Sequence, residues 1–427
     1  MSDPDDHGSS PDVAIVGGRT PDVAVVGAGA IGIATALELA QRGAAVTVLE
    51  RGPRPASGSS FGNAGIVGPA HVLPLASGQA VRDGLRWMLR RDSPFSLTPR
   101  PAAIPWLARF LLAARASRYE RSLALLQRLA AESAALHRAL DQRFDTGVVE
   151  RGFLEVYETE RGFEAARAHR LPDAEVLDGA ATRELCPQLA ATPAGGLFAP
   201  GEAHCDPAQL VTTLADAAVE AGVTLRMGVE VHGVRRRPGG EVLWTSAGEI
   251  PAGTVVIAAG AWSPSLAAGL GLRLPFQGGK GYHVDFEPGD GDTPMPLWFA
   301  ERRTVATPLP RGLRLTGMLQ LAGTDLSIDH RRVDTILANG RRLLTGLADR
   351  RITSVWRGLR PCSPDGIPIV GRAPSAESVV VATGHGMWGL QLAPVTARLV
   401  TDLIVDGRGD EAVLDALTPA RFKKLPA

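Results

Sequence analysis

A strand, a glycine turn and a helix are written into residues 22–42, in the run Asp22-Val-Ala-Val-Val-Gly27-Ala-Gly29-Ala-Ile-Gly32. Val23, Val25 and Val26 form a β-branched run suited to a buried parallel strand. Gly27 permits a tight turn, Gly29 lets backbone approach a pyrophosphate, and Gly32 lets helix and strand pack closely. The helix expected from Ala30 to Arg42 aims its N-terminal amides and positive dipole end at that phosphate, and Gly43 is placed to end it. Val46-Thr-Val-Leu49 reads as the second strand, and Glu50 at its end can accept hydrogen bonds from a ribose diol. A bare glycine turn between buried elements would leave an acid 18 residues after Gly32 unexplained. The pattern implies a dinucleotide site.

Bulk properties remove several classes. With 427 residues the chain is long enough for two domains, and 45 basic against 45 acidic residues give no electrostatic case for nucleic acid. Cys186, Cys205 and Cys362 form no CxxC, and the nine histidines show no metal-ligand spacing, so neither a disulfide framework nor a metal site is expected. No apolar run reaches membrane-spanning length, and the N-terminus lacks the features of a signal peptide, which points to the cytoplasm. Residues 1–20 contain a near-copy of the first strand, Pro11-Asp-Val-Ala-Ile-Val-Gly-Gly18, without the remaining glycines. They read as a leader outside the core, either disordered or packed as an extra strand.

Further along, residues 51–65 are too rich in Gly, Ser and Pro for regular structure and small enough to approach a planar ligand. Residues 84–144 read as helical, with Pro105 in a first turn and Leu125, Leu129, Leu136 and Leu140 on one face. The Ile104–Tyr119 segment is apolar and arginine-rich; it suits a helix packed on its own domain, with a peripheral contact at the inner membrane face or a subunit docking face as the alternatives. Strands are expected at Phe153–Tyr157, Val229–Val231, Val242–Thr245 and Thr254–Gly260, and a helix from Asp206-Pro207 to Gly222. Residues 276–357 alternate as an antiparallel sheet would. Val379–Thr383 returns to the parallel pattern, and a last helix is expected from Gly389 to Asp406.

More than 300 residues after the first motif come Trp356-Arg-Gly-Leu-Arg360-Pro-Cys-Ser-Pro364-Asp-Gly-Ile-Pro-Ile-Val-Gly371 and Thr383-Gly384-His385-Gly386-Met-Trp388-Gly389. With Ser60-Phe-Gly-Asn-Ala-Gly65 and Gly281-Tyr-His283, these make residues 21–415 resemble the D-amino-acid oxidase-like FAD-dependent oxidoreductases, nearest to bacterial D-amino-acid dehydrogenases and glyphosate oxidoreductase. Glycine oxidase and sarcosine oxidase share much of that frame. The resemblance implies an α/β fold in which a Rossmann-type FAD-binding domain (21–80, 205–265, 355–415) is interleaved with an α+β substrate domain (81–204, 266–354) carrying an antiparallel sheet. A tail follows at 416–427.

By the same resemblance, Gly27, Gly29, Ala30, Ile31, Gly32, Glu50 and Arg51 hold the ADP half of FAD. Val231, Ala259, Gly260 and Trp262 also border the cofactor, with Val231 offering backbone to adenine. Ser59, Ser60, Asn63, Ala64 and Gly65 line the flavin, while Gly384, His385, Gly386, Trp388, Gly389 and Leu390 sit by its pyrimidine end. Cys362 is offset from the thioether cysteine of sarcosine oxidase, so non-covalent FAD is expected.

The implied activity is oxidation of a D-α-amino acid to the imino acid and then the 2-oxo acid, with hydride passing from Cα–H to flavin N5. Oxidation of a secondary amine, or action only as a subunit of a complex, are the alternatives. Such chemistry is mainly positioning, and a bidentate arginine suits a carboxylate clamp. By the same resemblance Arg360 matches the arginine after Gly-Leu that binds the substrate carboxylate in glycine oxidase and is the candidate for that role; Tyr282, His283 and His385 are further candidates for contact with substrate, each set against a structural role. A helix starting at Gly389 would stabilise negative charge on the reduced ring. His71, Trp298, Arg302 and Arg303 are weaker pocket candidates. The acceptor of the electrons (oxygen, a quinone or a carrier) stays open.

Overall fold

The computed structural model describes residues 22–87, 93–98, 100–168 and 173–422. The leader at 1–20 and the end of the tail, 423–427, lie outside the described residues.

A six-stranded sheet carries the first motif. Its order is Ile369–Ala373, Ala376–Thr383, Thr254–Ile257, Val23–Val26, Val46–Glu50, Thr224–Met227. All neighbours pair in parallel except the first two, which pair antiparallel. Val25 sits in register with Val48 on one side and Val256 on the other, and all three are fully buried. Each such valine contributes about 1.5–3 kcal/mol relative to an exposed one, which explains why the run is unbroken rather than alternating. The helix Ala30–Gln41 packs between Pro207–Glu220 and Ala393–Val405, so it is buried on most sides. A three-stranded antiparallel meander, Val231–Arg237, Gly240–Thr245 and Gly248–Ala252, contributes Val234, Leu243, Ile250 and Ala252 to the core on the sheet's other face.

The second sheet has nine strands. Its order runs Ile352–Cys362, Gln277–Phe286, Gly312–Leu321, Thr304–Leu309, Leu297–Phe299, Phe153–Tyr157, Gly195–Ala199, Glu175–Asp178, and Phe95–Leu97 adds a short parallel strand beside Gly312–Leu321. The first four of these pair antiparallel.

Several sequence expectations are corrected here. Residues 84–144 are not wholly helical: helices Gly78–Trp87, Ile104–Ala113 and Ala116–Phe144 are interrupted by the strand Phe95–Leu97. Within 276–357 the segment His330–Leu343 is a helix, capped by the Asp329 carboxylate accepting from Arg331 N–H and burying Val333, Ile336 and Leu343. Its arginines conceal the helical period. Val229–Val231 is not a strand: one ends at Met227, Gly228 turns the chain at φ +72°, and the next begins at Val231. Residues 355–362, expected with the dinucleotide half, extend the nine-stranded sheet instead. The last helix begins at Ala393, four residues later than Gly389, after a series of turns.

The Ile104–Ala113 helix packs on its own chain. Trp106 is buried, stacks on Phe110 with centroids 5.1 Å apart, and donates from Nε1 to the Cys362 carbonyl at 2.9 Å. Ile104 and Leu111 remain exposed. Among the described residues, no helix is long and apolar enough to cross a membrane.

Candidate active site

The first glycine turn is as tight as the motif requires. Gly27 adopts φ +109°, and a Cβ at Gly32 would lie 1.9 Å from the Gly27 carbonyl oxygen, so helix and turn touch backbone to backbone. Glu50 Oε2 accepts from Ala28 N–H at 2.8 Å and Oε1 from Gly52 N–H at 2.7 Å, which fixes its carboxylate beside the turn. At the helix start, Ala30 N–H donates to Ser60 Oγ at 3.0 Å, so a first-turn amide already faces an oxygen acceptor as an anion-binding helix terminus does. The Arg51 guanidinium lies 3.7 Å over the Trp262 ring, and Val231, Ala259 and Gly260 border the same space. This glycine-lined groove with an anchored acid fits the ADP half of a dinucleotide.

The groove opens into one cavity of about 2180 Å³ that continues over the nine-stranded sheet. Single small-molecule sites occupy roughly 300–1,000 Å³, so there is room for a dinucleotide and a second ligand. The segments at 59–65 and 384–390 meet along it. Asn63 Nδ2 donates to the Met387 carbonyl at 3.2 Å while its Oδ1 accepts from Gly65 N–H at 2.8 Å. Gly65 is at φ +78°, and a Cβ there would meet the Cys205 oxygen at 2.2 Å. Ser59 Oγ donates to the Leu359 carbonyl. Trp388 forms a wall, donating from Nε1 to the Leu73 carbonyl at 2.9 Å. Ala30, Ile31, Ala64, Gly386, Gly389 and Leu390 also border the cavity. Gly32, Gly65 and Gly384 act instead in close packing: a Cβ on Gly384 would press on Ile369 at 3.0 Å.

The cavity floor is one row of the sheet. Trp356, His283, Thr316, Val305, Trp298, Glu155 and Leu197 stand in register across seven strands, and all but His283 border the cavity. His283 is buried beneath it, stacked on Trp356 at 5.1 Å and tilted against Phe61 at 5.8 Å. Burial, with Arg314 nearby, pushes its pKa down to about 3, so it is a neutral packing residue. Tyr282 points to the opposite face, packs in the substrate-sheet core and donates to Gln320 Oε1 at 3.1 Å. His385 turns its imidazole to Thr396 Oγ1 at 3.0 Å, and burial lowers its pKa to about 3. The structure therefore places Tyr282 and His283 away from the cavity lining, whereas His385 borders the cavity with its imidazole turned to Thr396.

Arg360 is different. It borders the cavity, and its guanidinium lies over Gly281, where a Cβ would approach within 2.3 Å of Nη1. It donates to the Met318 carbonyl at 2.8 Å, and no ion pair engages it among the described residues. Burial lowers its pKa. Of the weaker candidates, His71, Trp298 and Arg303 border the cavity, while Arg302 forms a fork to Glu158 at 2.7 and 3.0 Å.

Arg314, Gln391 and the acidic partners of His71 were not singled out from sequence. Arg314, fully buried, forms a two-pronged pair with Asp285 at 2.7 and 2.8 Å and donates to the carbonyls of Phe61 (2.8 Å) and Asn63 (3.1 Å). With Thr307 donating to the Ala64 carbonyl at 2.8 Å, it ties the loop at 59–65 to the nine-stranded sheet. The signal was the alternation Leu313-Arg314-Leu315-Thr316, which sets Arg314 opposite the core face. Second, Gln391 holds the turns before the last helix: its Oε1 accepts from Gly68 N–H at 2.9 Å, and its carbonyl accepts from Ser133 Oγ at 2.6 Å. Third, His71 stands between Glu155 (2.9 Å) and Glu202 (3.4 Å), with Tyr157 OH bonded to the other Glu155 oxygen. Loop placement hid this group from periodicity.

The family model described as FAD dependent oxidoreductase (DAO) matches residues 22–403. The chain belongs to this family. Its FAD-dependent oxidoreductase relatives include the D-amino acid dehydrogenase of Cereibacter sphaeroides, 34% identical over 404 residues, covering 90% of this chain and 91% of that protein. The D-amino acid dehydrogenase of Paramagnetospirillum magneticum is 35% identical over 420 residues, 92% of this chain and 97% of the relative. Among solved structures, glycine oxidase from Geobacillus kaustophilus superposes with a TM-score of 0.71 at 27% identity, covering 91% of this chain and 96% of that one. The glycine turn, Glu50 and the loops at 59–65 and 384–390 all lie within the matched residues.

Proposed function

We propose that this chain oxidises a D-α-amino acid to the imino acid, which water hydrolyses to the 2-oxo acid and ammonia. Arg360 carries the reading: a half-buried guanidinium on the cavity wall, held by one carbonyl and engaged in no ion pair among the described residues. A partly desolvated cation in that state gains from an incoming carboxylate, and its fork can take both oxygens. Bound FAD supplies the two-electron acceptor. The chain's own work is orientation: Arg360 fixes the carboxylate, the Thr316–Trp298 floor supports the rest of the molecule, and Trp388 walls the opposite side. With the carboxylate held, Cα–H is presented and the neutral amine's lone pair forms C=N as the hydride departs. The D configuration is supported by the names of the sequence relatives.

Gly27, Gly29, Ala30, Glu50, Asn63 and Gly389 are the residues we assign to FAD. Non-covalent attachment is supported by Cys362, whose buried thiol lies under Gly279 away from the main cavity and is pushed up to about 11 by burial. Acid precipitation of the yellow protein should leave flavin in the supernatant.

The test is anaerobic bleaching of bound flavin by D-alanine, L-alanine, glycine, sarcosine and D-proline in parallel. Bleaching fastest with primary D-amino acids supports the reading; a preference for sarcosine or D-proline transfers the site to secondary amines. Arg360→Ala should keep its FAD while KM rises about 100-fold, the loss of two charge-assisted hydrogen bonds. An unchanged KM would remove Arg360 from the site.

A further inference from the structure

Two charged groups stand apart along the cavity, with mainly apolar side chains between them. At one end stands the Arg360 guanidinium. Met318, Val305 and Trp298 follow along the sheet. At the other end His71 is clasped by Glu155 and Glu202, and its ring rests on Phe153 with centroids 3.9 Å apart. Both ring nitrogens face carboxylates, so the ring carries two protons and the cluster of one imidazolium and two carboxylates is anionic.

Neighbouring charges add to that sign. Glu301, also on the wall, accepts from Glu158 N–H and Thr159 N–H at 3.1 and 3.2 Å and from Thr159 Oγ1 at 3.0 Å. Arg303 faces Asp83 at 3.6 Å, so those two offset each other. Arg82 is exposed. Glu155 spends one oxygen on His71 and one on Tyr157, yet each carboxylate oxygen has a second lone pair to offer.

We propose that the His71–Glu155 end is a side-chain subsite that selects amino acids bearing a distal cation, such as a primary ammonium or a guanidinium. This rests on the amino-acid reading of the same cavity.

The span agrees. From the Arg360 guanidinium, bonded to the Gly312–Leu321 strand, to Glu155 are three strand spacings of roughly 4.8 Å and one two-residue step of roughly 6.6 Å, on the order of 15 Å in all. An extended lysine or arginine measures about 7.5 Å from carboxylate to head group, and a hydrogen-bonded contact at each end adds about 4 Å, again near 15 Å. A shorter neutral side chain would leave the far carboxylates unvisited, and an acidic one would meet like charge.

The experiment compares kcat/KM of the FAD-loaded enzyme for D-lysine, D-arginine, D-norleucine and D-glutamate with one artificial acceptor at fixed ionic strength. D-lysine or D-arginine should exceed D-norleucine by about tenfold or more, and D-glutamate should be the poorest, as expected of a site built around a charged head group. In Glu155→Gln the basic-over-norleucine ratio should fall about tenfold, since the variant keeps the shape and loses the charge. Equal rates for lysine and norleucine in the wild type overturn the proposal, as does an unchanged ratio in the variant. If Glu155→Gln does not fold, the wild-type ratios decide alone. Flavin that no amino acid bleaches would sink the parent reading as well, a result distinct from bleaching without basic preference.

Discussion

Raising the pH should release His71 from its two carboxylates, and the loss can be sized. Burial by itself would lower the imidazole's pKa, but the hydrogen bonds and charges of Glu155 and Glu202 outweigh it and hold the group at about 9 against 6.5 when unfolded. A folded pKa above the unfolded one means stability fully present below pH 6.5 and lost as pH climbs through 9. The gap corresponds to about 3 kcal/mol, of which about 2 kcal/mol should vanish between pH 6 and 8.5. His137, His204, His283 and His385 are pushed down instead, so they are neutral in the folded protein and their effect is complete by about pH 7.5. The buried thiols of Cys186, Cys205 and Cys362, all pushed up, erode stability only at more alkaline pH.

The assay is thermal unfolding of the flavin-loaded protein at half-unit pH steps, wild type against His71→Gln, so that shared titrations subtract. If a domain of 150–250 residues unfolds as a unit, about 2 kcal/mol is roughly 4–8 °C in Tm. The wild type should fall by that much more than the variant across the window. Parallel curves would show that His71 is not held as an imidazolium.

Two substitutions probe the rest of the cavity. Gly32→Ala puts a Cβ 1.9 Å from the Gly27 oxygen, backbone that cannot swing aside; it should cost about 1–3 kcal/mol and yield protein with less flavin per chain after gel filtration. Full flavin content with an unchanged Tm would contradict the close-packing role. Gly281→Ala meets only the far end of Arg360, so the chain should fold and keep FAD while the displaced guanidinium raises KM about tenfold; wild-type KM would mean that the guanidinium does not need that space.

What the sequence made legible was local. The Val-rich strands, the glycine turn and Asp206 as a helix cap depend on residues a few positions apart, and they fold where expected. Arg360 was identified through resemblance to a carboxylate-binding arginine, but not the Gly281 that makes room for it on another strand. His330–Leu343 was hidden because its exposed arginines dilute a narrow apolar face. Of Tyr282 and His283 only one could face the cavity side, because strand alternation sends neighbouring side chains to opposite faces. The His71 cluster joins a loop, the strand Phe153–Tyr157 and the corner at Glu202, and no periodicity links residues that meet only through topology.

The order of strands in the parallel sheet has a bearing on synthesis. Val23–Val26 takes Thr254–Ile257 as one neighbour, and that strand in turn takes Ala376–Thr383. Val23–Val26 therefore keeps one open edge until residue 257 has been made, and Thr254–Ile257 keeps its own until residue 383. The cavity wall at 384–390 is made later still, so a product cut short before residue 254 would carry Val23–Val26 with one side unpaired and no wall to close the cavity.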